Sequence, residues 1–187
     1  MAFPVESCYT IDDIYKLPDG QRAELIDGQI YYMAPPSRTH QRISWKLHQA
    51  IGEYISSQKG DCEVYAAPFA VFLDQSDTTY VEPDISVICD KTKLDEKGCH
   101  GAPDWVIEIV SPSTRNMDYL TKLSKYNNAG VREYWIVDPL KEHIILWNFE
   151  QNAKHPDADI MTLHTFSDSV KAGIYEDLFI DFNKIIS

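Results

Sequence analysis

The stretch from Trp105 to Val137 constrains the fold of this chain more than any other. Two runs rich in β-branched and aromatic residues, 105–110 and 133–137, flank a helix predicted over 115–129. Pro112 supplies a helix-start signal and Gly130 a helix stop. A strand–helix–strand unit joins two parallel strands by a right-handed crossover. The chain is therefore predicted to be an α/β protein.

The preceding residues add a helix and further strands. Asp27-Gly28 between two apolar runs predicts a β-hairpin, and Ser37 is a suitable N-cap for a long helix over Arg38–Ser57. Strand-like runs follow at 63–73 and 80–89. The predicted core order is α-β-β-β-α-β, with a mixed central sheet flanked by helices.

Less regular segments complete the prediction. The capping pattern from Thr10 to Asp13 predicts a short first helix, and 143–149 and 160–166 read as strands. The charged, glycine-containing segment 90–103 is predicted to be a loop. With no repeat and no clear linker, residues 1–187 are expected to form one domain.

Charge and hydropathy exclude some classes of protein. The net charge is −12, which argues against broad non-specific adhesion to nucleic acid and requires any nucleic-acid interpretation to name a local basic groove. No apolar run approaches the ~20 residues that span a bilayer. Residues 1–10 lack the basic start and apolar stretch of a signal peptide. We therefore expect a cytoplasmic protein without a membrane partner.

The four cysteines, Cys8, Cys62, Cys89 and Cys99, are scattered. None has CxxC spacing, which argues against a structural zinc site, and Cys99 is predicted to be a loop thiol. A domain of this size does not need disulfides, so reduced cysteines in a reducing compartment are expected.

Two carboxylates stand in apolar strands. Asp84 follows Pro83 in one run, and Glu108 lies in the middle of 105–110, on the same face as Val106 and Val110. A buried ionised carboxylate needs compensation, and a shared divalent cation would supply it; oxygen ligands favour Mg²⁺ or Mn²⁺. The alternatives are a strand-edge aspartate that caps the backbone and a salt-bridged structural glutamate.

Helical spacing aligns Asp118, Lys122 and Tyr126 on one face of the helix that follows Glu108. Metal-dependent phosphodiester hydrolysis needs a group that stabilises developing charge beside the cation, and Lys122 is the candidate. On spacing alone, Asp118 and Lys122 also fit an ordinary surface ion pair.

Several segments resemble the Uma-two family, a bacterial group of restriction-endonuclease-like proteins within the PD-(D/E)xK nuclease superfamily. They are AELIDG at 23–28, EPD at 82–84, GAPD at 101–104, EIVSPST at 108–114 and GVREYWIVDP at 130–139. The resemblance spans about residues 9–150. It implies a restriction-endonuclease-like fold and metal-dependent cleavage of DNA.

The resemblance also implies site residues. Asp84 and Glu108 would be catalytic metal ligands, with the Ile109 carbonyl completing the shell. The superfamily places a lysine two positions after the glutamate, where this chain has Val110. That role would then pass to Lys122 on the following helix, with Lys125 as the competitor.

Other residues are candidates for supporting roles. Besides Asp118 and Tyr126, Glu24 could reach the site from the hairpin and His40 from the long helix, although an exposed glutamate and a core histidine are the alternatives. The basic side chains that could contact phosphates are Arg38, Arg42, Lys46 and Lys125. A solvated helix face is the alternative for the three on the long helix.

The resulting hypothesis is a Mg²⁺- or Mn²⁺-dependent DNA endonuclease. A non-catalytic binding or assembly module with the nuclease fold is the alternative, and the acidic net charge favours it. An acidic mimic of nucleic acid is a weaker third hypothesis, because the informative acids lie in apolar strands. The sequence leaves open whether the chain forms a homo-oligomer.

Overall fold

Helices and strands alternate along the chain in the computed structural model, which describes residues 8–154 and 160–187. The helices are α1 (Ile11–Tyr15), α2 (Arg38–Ser57), α3 (Leu123–Ala129), α4 (Phe149–Lys154) and α5 (Phe182–Ile186), and a π-helical segment, Met117–Lys122, leads directly into α3. The strands are β1 (Ala23–Ile26), β2 (Gln29–Tyr32), β3 (Glu63–Ala66), β4 (Val71–Phe72), β5 (Ile85–Ile88), β6 (Leu94–Asp95), β7 (Gly98–His100), β8 (Trp105–Ile109), β9 (Glu133–Asp138), β10 (His143–Asn148), β11 (Met161–Thr165), β12 (Ser169–Lys171) and β13 (Phe179–Asp181). Residues 1–7 lie outside the described residues. They make up most of the N-terminal stretch in which no signal peptide is expected.

The central sheet is mixed. Among the described residues its strand order is β11-β10-β9-β8-β5-β3, with β8 and β9 parallel and every other neighbouring pair antiparallel. The parallel pair is the one that the crossover through the π segment and α3 connects. The elements α2, β3, β5, β8, α3 and β9 follow the predicted order α-β-β-β-α-β, so the predicted fold class is confirmed.

Helix α2 covers one face of this sheet. The Ser37 Oγ accepts the amide N–H of His40 at 3.2 Å, which caps the helix at the predicted residue. The buried residues of α2 recur at helical spacing and are Ile43, Leu47, Ile51 and Ile55. They pack with Trp105, Ile107 and Ile109, which alternate along β8 and therefore share one face of the sheet.

The other face of β8 packs against α3. Val106 and Val110 belong to a second hydrophobic cluster, which also contains Tyr126 of α3 and Tyr134 of β9. Glu108 lies between these two valines on the same face. The alternation read from the sequence therefore directs Glu108 towards the helix that carries Lys122.

The β1–β2 hairpin forms at the predicted Asp27-Gly28 turn. Both turn residues have positive φ, 51° for Asp27 and 74° for Gly28, as a tight two-residue hairpin connection requires. The hairpin lies against the loop before β5, where Leu25 forms a bridge with Tyr80. This contact brings β1 next to the segment that holds Asp84.

The strand predicted over 80–89 is shorter than expected, since β5 covers only Ile85–Ile88. Tyr80 and Val81 instead form isolated bridges to Leu25 and Val71. Pro83 has no amide hydrogen to donate to a ladder, so the regular pairing begins after it.

The predicted loop over 90–103 contains regular structure. β6 and β7 form a small sheet with β4. The Asp95 Oδ1 accepts the amides of Lys97 and Gly98 and closes the tight turn between β6 and β7. Cys99 is therefore a buried strand residue rather than a loop thiol, and burial raises the pKa of its thiol to about 11.

The expectation that no disulfide forms is wrong, because Cys62 and Cys89 are joined. Their positions explain the pairing. β3 and β5 are antiparallel with Glu63 opposite Ile88, and the same register continued by one residue places Cys62 opposite Cys89. Such a cross-strand neighbour can be identified only once the strand pairing is known. Cys8 and Cys99 carry free thiols.

In the ranges that the structure describes, no helix is long and apolar enough to cross a membrane.

Candidate active site

Strand register brings Asp84 and Glu108 together. Ile85 pairs with Ile107 in the antiparallel β5–β8 ladder, so Asp84 stands opposite Glu108 when the register is continued by one residue. Residues opposite each other on antiparallel strands direct their side chains to the same face of the sheet. The Asp84 Oδ2 accepts the amide N–H of Ile109 at 2.7 Å, which fixes this carboxylate at the end of β8.

Glu108 is buried in a polar cluster. Its Oε1 accepts hydrogen bonds from the Lys122 Nζ at 2.9 Å and from the Tyr126 hydroxyl at 2.6 Å. The exposed fractions of the three residues are 4% for Glu108, 3% for Lys122 and 0% for Tyr126. Lys122 is therefore buried, and its contact with Glu108 is a buried ion pair. The alternative based on spacing alone, in which Lys122 is a surface residue paired with Asp118, does not fit this burial.

Lys122 joins Glu108 to two further acids. Its Nζ donates to the Glu24 Oε1 at 2.8 Å and lies 3.8 Å from the Asp118 Oδ1. Glu24 and Asp118 are both buried. The amide N–H of Glu82 donates to the same Glu24 Oε1 at 2.9 Å and holds this carboxylate in place. One lysine thus compensates three buried carboxylates.

The close carboxylates change the protonation behaviour of the cluster. Burial raises the pKa of Glu108 well above its usual value despite the charge of Lys122. Burial alone would lower the pKa of Lys122, but Glu108, Glu24 and Asp118 outweigh it and raise that pKa well above the ordinary lysine value. Burial also raises the pKa of Asp118 to about 6. Lys122 therefore remains cationic.

One carboxylate oxygen each of Glu24, Asp84 and Glu108 is left for a ligand. The hydrogen bonds to Glu24 and Glu108 all end on Oε1, and those to Asp84 all end on Oδ2. The second oxygen of each carboxylate accepts no hydrogen bond from the residues described. These three residues, Ile109 and Lys122 line one pocket of about 1000 Å³.

The donors in this pocket fit a hard divalent cation. Carboxylate and carbonyl oxygens are the ligands that Mg²⁺ and Mn²⁺ prefer. Within residues 8–154 and 160–187, no group of three or more His, Cys, Asp or Glu side chains is arranged to hold a metal ion. A cation here would therefore take two carboxylates, from Asp84 and Glu108, with the Ile109 carbonyl and water completing its shell.

One protein-family model covers most of the chain. The model of the Uma2 family, described as "Putative restriction endonuclease", matches residues 11–171. The chain belongs to the Uma2 family. The resemblance read from the sequence motifs is thereby confirmed.

Two curated relatives of this Uma2 chain come from Synechocystis sp. "Uncharacterized protein slr1290" is 29% identical over 145 residues, which cover 77% of this chain and 72% of the relative. "Uncharacterized protein sll1609" is 23% identical over 121 residues, 63% of this chain and 67% of the relative. A crystal structure described as "a putative nuclease belonging to DUF820" from Anabaena variabilis superposes with a TM-score of 0.73 at 20% identity, covering 95% of this chain and 97% of that one. This match supports the fold.

His40 lies at the edge of the acidic pair. Its Nε2 lies 3.1 Å from the Asp84 Oδ2, and it lines the same pocket. Burial lowers the pKa of His40, but the hydrogen bond and charge of Asp84 outweigh burial and raise it. The long helix of this Uma2 chain therefore contributes a polar contact to the site and not only a core histidine.

The basic residues predicted to contact phosphates do not line this pocket. Arg38 is exposed and Arg42 half-buried at the start of α2. The Lys46 Nζ donates to the carbonyls of Lys184 and Ser187 at the C-terminus, and Lys125 forms an ion pair with Asp27. Of the two lysines considered for the active site, only Lys122 lies among the acids.

Glu82 is a supporting residue that the sequence reasoning missed. It is buried, forms an ion pair with Arg22 and accepts the Tyr80 hydroxyl at 2.5 Å. Its amide in turn binds Glu24. Its position directly before Pro83-Asp84, inside one of the family-like segments, was the available signal.

Proposed function

We propose that this chain is a divalent-cation-dependent nuclease that hydrolyses phosphodiester bonds in DNA. Its membership of the Uma2 family supports a nuclease. The observation that carries the finer proposal is that Asp84, Glu24 and Glu108 line one pocket, each with one oxygen that accepts no hydrogen bond from the described residues, and that Glu24 and Glu108 bind the buried ammonium of Lys122.

Each residue has a part that follows from its contacts. Asp84 and Glu108 would hold Mg²⁺ or Mn²⁺ together with the Ile109 carbonyl. When bound, such a cation polarises a phosphoryl oxygen and lowers the pKa of a coordinated water. Lys122 would orient the attacking water and offset the negative charge that develops on the phosphate. Its two carboxylate contacts favour the ammonium form, which donates hydrogen bonds.

Glu24 has a positioning part. It shares Lys122 with Glu108 and is itself fixed by the Glu82 amide. Because Glu24 and Glu108 bind the ammonium group from different strands, they hold the Nζ at one point beside the free Glu108 oxygen. The Tyr126 hydroxyl donates to the same Glu108 Oε1 and further restrains that carboxylate.

The test is cleavage of DNA, supplied both as a double-stranded plasmid and as a single-stranded circle, with Mn²⁺ or Mg²⁺ present or chelated. Asp84→Asn and Glu108→Gln keep the side-chain shapes and remove the charges, and each should abolish cation-dependent cleavage. Asp104→Asn is the matched control, because Asp104 also follows a proline but lies outside the pocket. That variant should cleave DNA as the unmodified protein does.

Calorimetric titration with Mn²⁺ gives a second, independent measurement. The unmodified chain should bind the ion, and Asp84→Asn should bind it much more weakly. Unchanged cleavage by Asp84→Asn would contradict the assignment. A folded chain that neither binds Mn²⁺ nor cleaves DNA would instead support the non-catalytic module.

A further inference from the structure

Two large aromatic side chains are exposed on the wall of the candidate active-site pocket. Tyr32 is 63% exposed and Trp45 is 62% exposed, and both line the pocket that contains Asp84 and Glu108. Neither belongs to a hydrophobic core cluster, and neither ring stacks on another aromatic ring among the residues described. Their exposed surface therefore serves no packing purpose within the fold.

These aromatics are attached to the elements that build the site. Tyr32 is the last residue of β2. The residue before it, Tyr31, pairs with Glu24 across the hairpin. Trp45 lies on α2, the helix that brings His40 to Asp84. A ligand that reaches the acids through this pocket passes between the hairpin and the helix.

The pocket wall is poor in available positive charge. Among the described residues that line it, the lysine and arginine side chains are Arg22 and Lys122. Arg22 is paired with Glu82, and Lys122 is buried between Glu24 and Glu108. Double-stranded DNA is held mainly through phosphate contacts with lysine and arginine. The pocket therefore lacks the groups that hold a duplex.

Exposed aromatic rings provide a different source of affinity. Proteins that bind single strands stack bases on tyrosine, tryptophan and phenylalanine, and unpaired bases alone present their faces for this contact. We propose that Tyr32 and Trp45 stack on unpaired bases that flank the scissile phosphate, so that the substrate is single-stranded DNA or a DNA strand with locally unpaired bases. This inference rests on the proposed nuclease function.

A second copy of the chain is the alternative occupant of this surface. Continuity with the acids favours nucleobases, because a phosphate bound to a cation at Asp84 and Glu108 would carry its own bases into the space beside it. The two occupants predict different effects of substitution, which the following experiment separates.

The binding experiment uses a fluorescently labelled single strand, the same sequence as a full duplex, and the corresponding RNA, all in short incubations with Ca²⁺ in place of Mn²⁺, so that a cation with oxygen ligands is present at the acids. The single-stranded DNA should bind more tightly than the duplex, because only the single strand presents unpaired bases to Tyr32 and Trp45. Tyr32→Ala and Trp45→Ala should each weaken single-strand binding about 5- to 150-fold, equivalent to about 1–3 kcal/mol per stacked base. Trp45→Phe should recover most of the loss, since it keeps an aromatic face.

Tyr15→Ala is the control, because Tyr15 is also 54% exposed but lies outside the pocket. It should leave single-strand binding unchanged. Equal binding of duplex and single strand, or unchanged binding by both pocket variants, would overturn the inference. Tighter binding of RNA than of DNA would overturn the choice of DNA.

Cleavage and light scattering complete the test. With Mn²⁺, a duplex containing an internal mismatched bubble should be cut at the bubble, and a fully paired duplex should resist. Efficient cutting of the paired duplex that Trp45→Ala leaves unchanged would refute the inference while the nuclease proposal stands. If no DNA is cut, the nuclease proposal fails, and the binding arm still decides whether the aromatics hold unpaired bases. A dimer that Trp45→Ala dissociates without affecting single-strand binding would assign the surface to a second copy.

Discussion

Replacement of Lys122 by methionine tests the electrostatic arrangement of the site independently of any substrate. Methionine is about as long as lysine and lacks the ammonium group, so the change removes charge with little change in packed volume. The substitution leaves Glu24, Glu108 and Asp118 buried around a position with no cation. We expect a large loss of stability at neutral and alkaline pH.

The size of the loss follows from the burial of the partners. Lys122 and its three acids are each less than 5% exposed. Removal of one member of a buried ion pair costs about 3–5 kcal/mol, because an uncompensated charge remains. A typical domain is stable by about 5–15 kcal/mol, so the variant should remain folded but unfold at a much lower denaturant concentration.

The loss should depend on pH in a defined direction. Burial already raises the pKa of Glu108, and loss of the lysine charge raises it further. The folded variant then holds a proton that the unfolded chain releases above about pH 4.3, the usual glutamate value. Stability of the variant therefore falls as pH rises, and its deficit relative to the unmodified chain should be larger at pH 8 than at pH 5.

Urea unfolding followed by tryptophan fluorescence provides the measurement. Trp105 and Trp135 are fully buried with ring centroids 4.7 Å apart, and both become exposed on unfolding. Lys125→Met is the control, because Lys125 pairs with the exposed Asp27. This variant should lose at most about 1 kcal/mol of unfolding free energy. A deficit for Lys122→Met of less than about 1 kcal/mol at pH 8, or the same deficit at pH 5, would refute the reasoning.

Two further substitutions test the scaffold. Burial alone would raise the pKa of Asp138, but hydrogen bonds from Tyr119 and a backbone amide, with the nearby Arg115, lower it. Asp138→Asn should therefore lower the free energy of unfolding by about 1.5–3 kcal/mol at pH 7. This loss should shrink as pH falls below about 4, because the unmodified aspartate then becomes protonated. Urea unfolding from about pH 2.5 to about pH 7, a range that includes the usual aspartate pKa of about 3.9, would detect this change, and a difference independent of pH would contradict it. Gly130 ends α3 at φ 94° with open space where a Cβ would lie, so Gly130→Ala should cost about 1 kcal/mol through backbone conformation alone. Gly52→Ala inside α2 should have the opposite sign, and equal effects at the two positions would disprove the backbone explanation.

Local signals in the sequence predict much of the scaffold. The Asp27-Gly28 turn, the Ser37 cap and the alternation around Glu108 each depend on residues within a few positions of one another. The parallel pairing of β8 and β9 follows from the length and handedness of a single crossover. These features are predictable because they involve short-range geometry.

Contacts between distant segments are not predictable in the same way. Helical spacing predicts the face on which Lys122 lies, but its pairing with Glu24 depends on how the hairpin packs against the sheet. The Cys62–Cys89 bond and the buried Glu82 likewise require the register of strands and loops that meet only in the fold. The π-helical turn that carries Asp118 and Lys122 does not follow from helical spacing, which predicts an α-helix over the same residues.

The separation of Glu24 and Lys122 along the chain has a consequence during protein synthesis. The two residues are 98 positions apart, and Tyr126 follows still later. Contacts of such long range form after local structure, because the intervening chain must first be ordered. A nascent chain on the ribosome therefore contains Glu24, Glu108 and Asp118 before it contains Lys122, the lysine that pairs with them. The hydrolytic centre proposed for this protein is thus assembled only after synthesis has passed Lys122 and Tyr126.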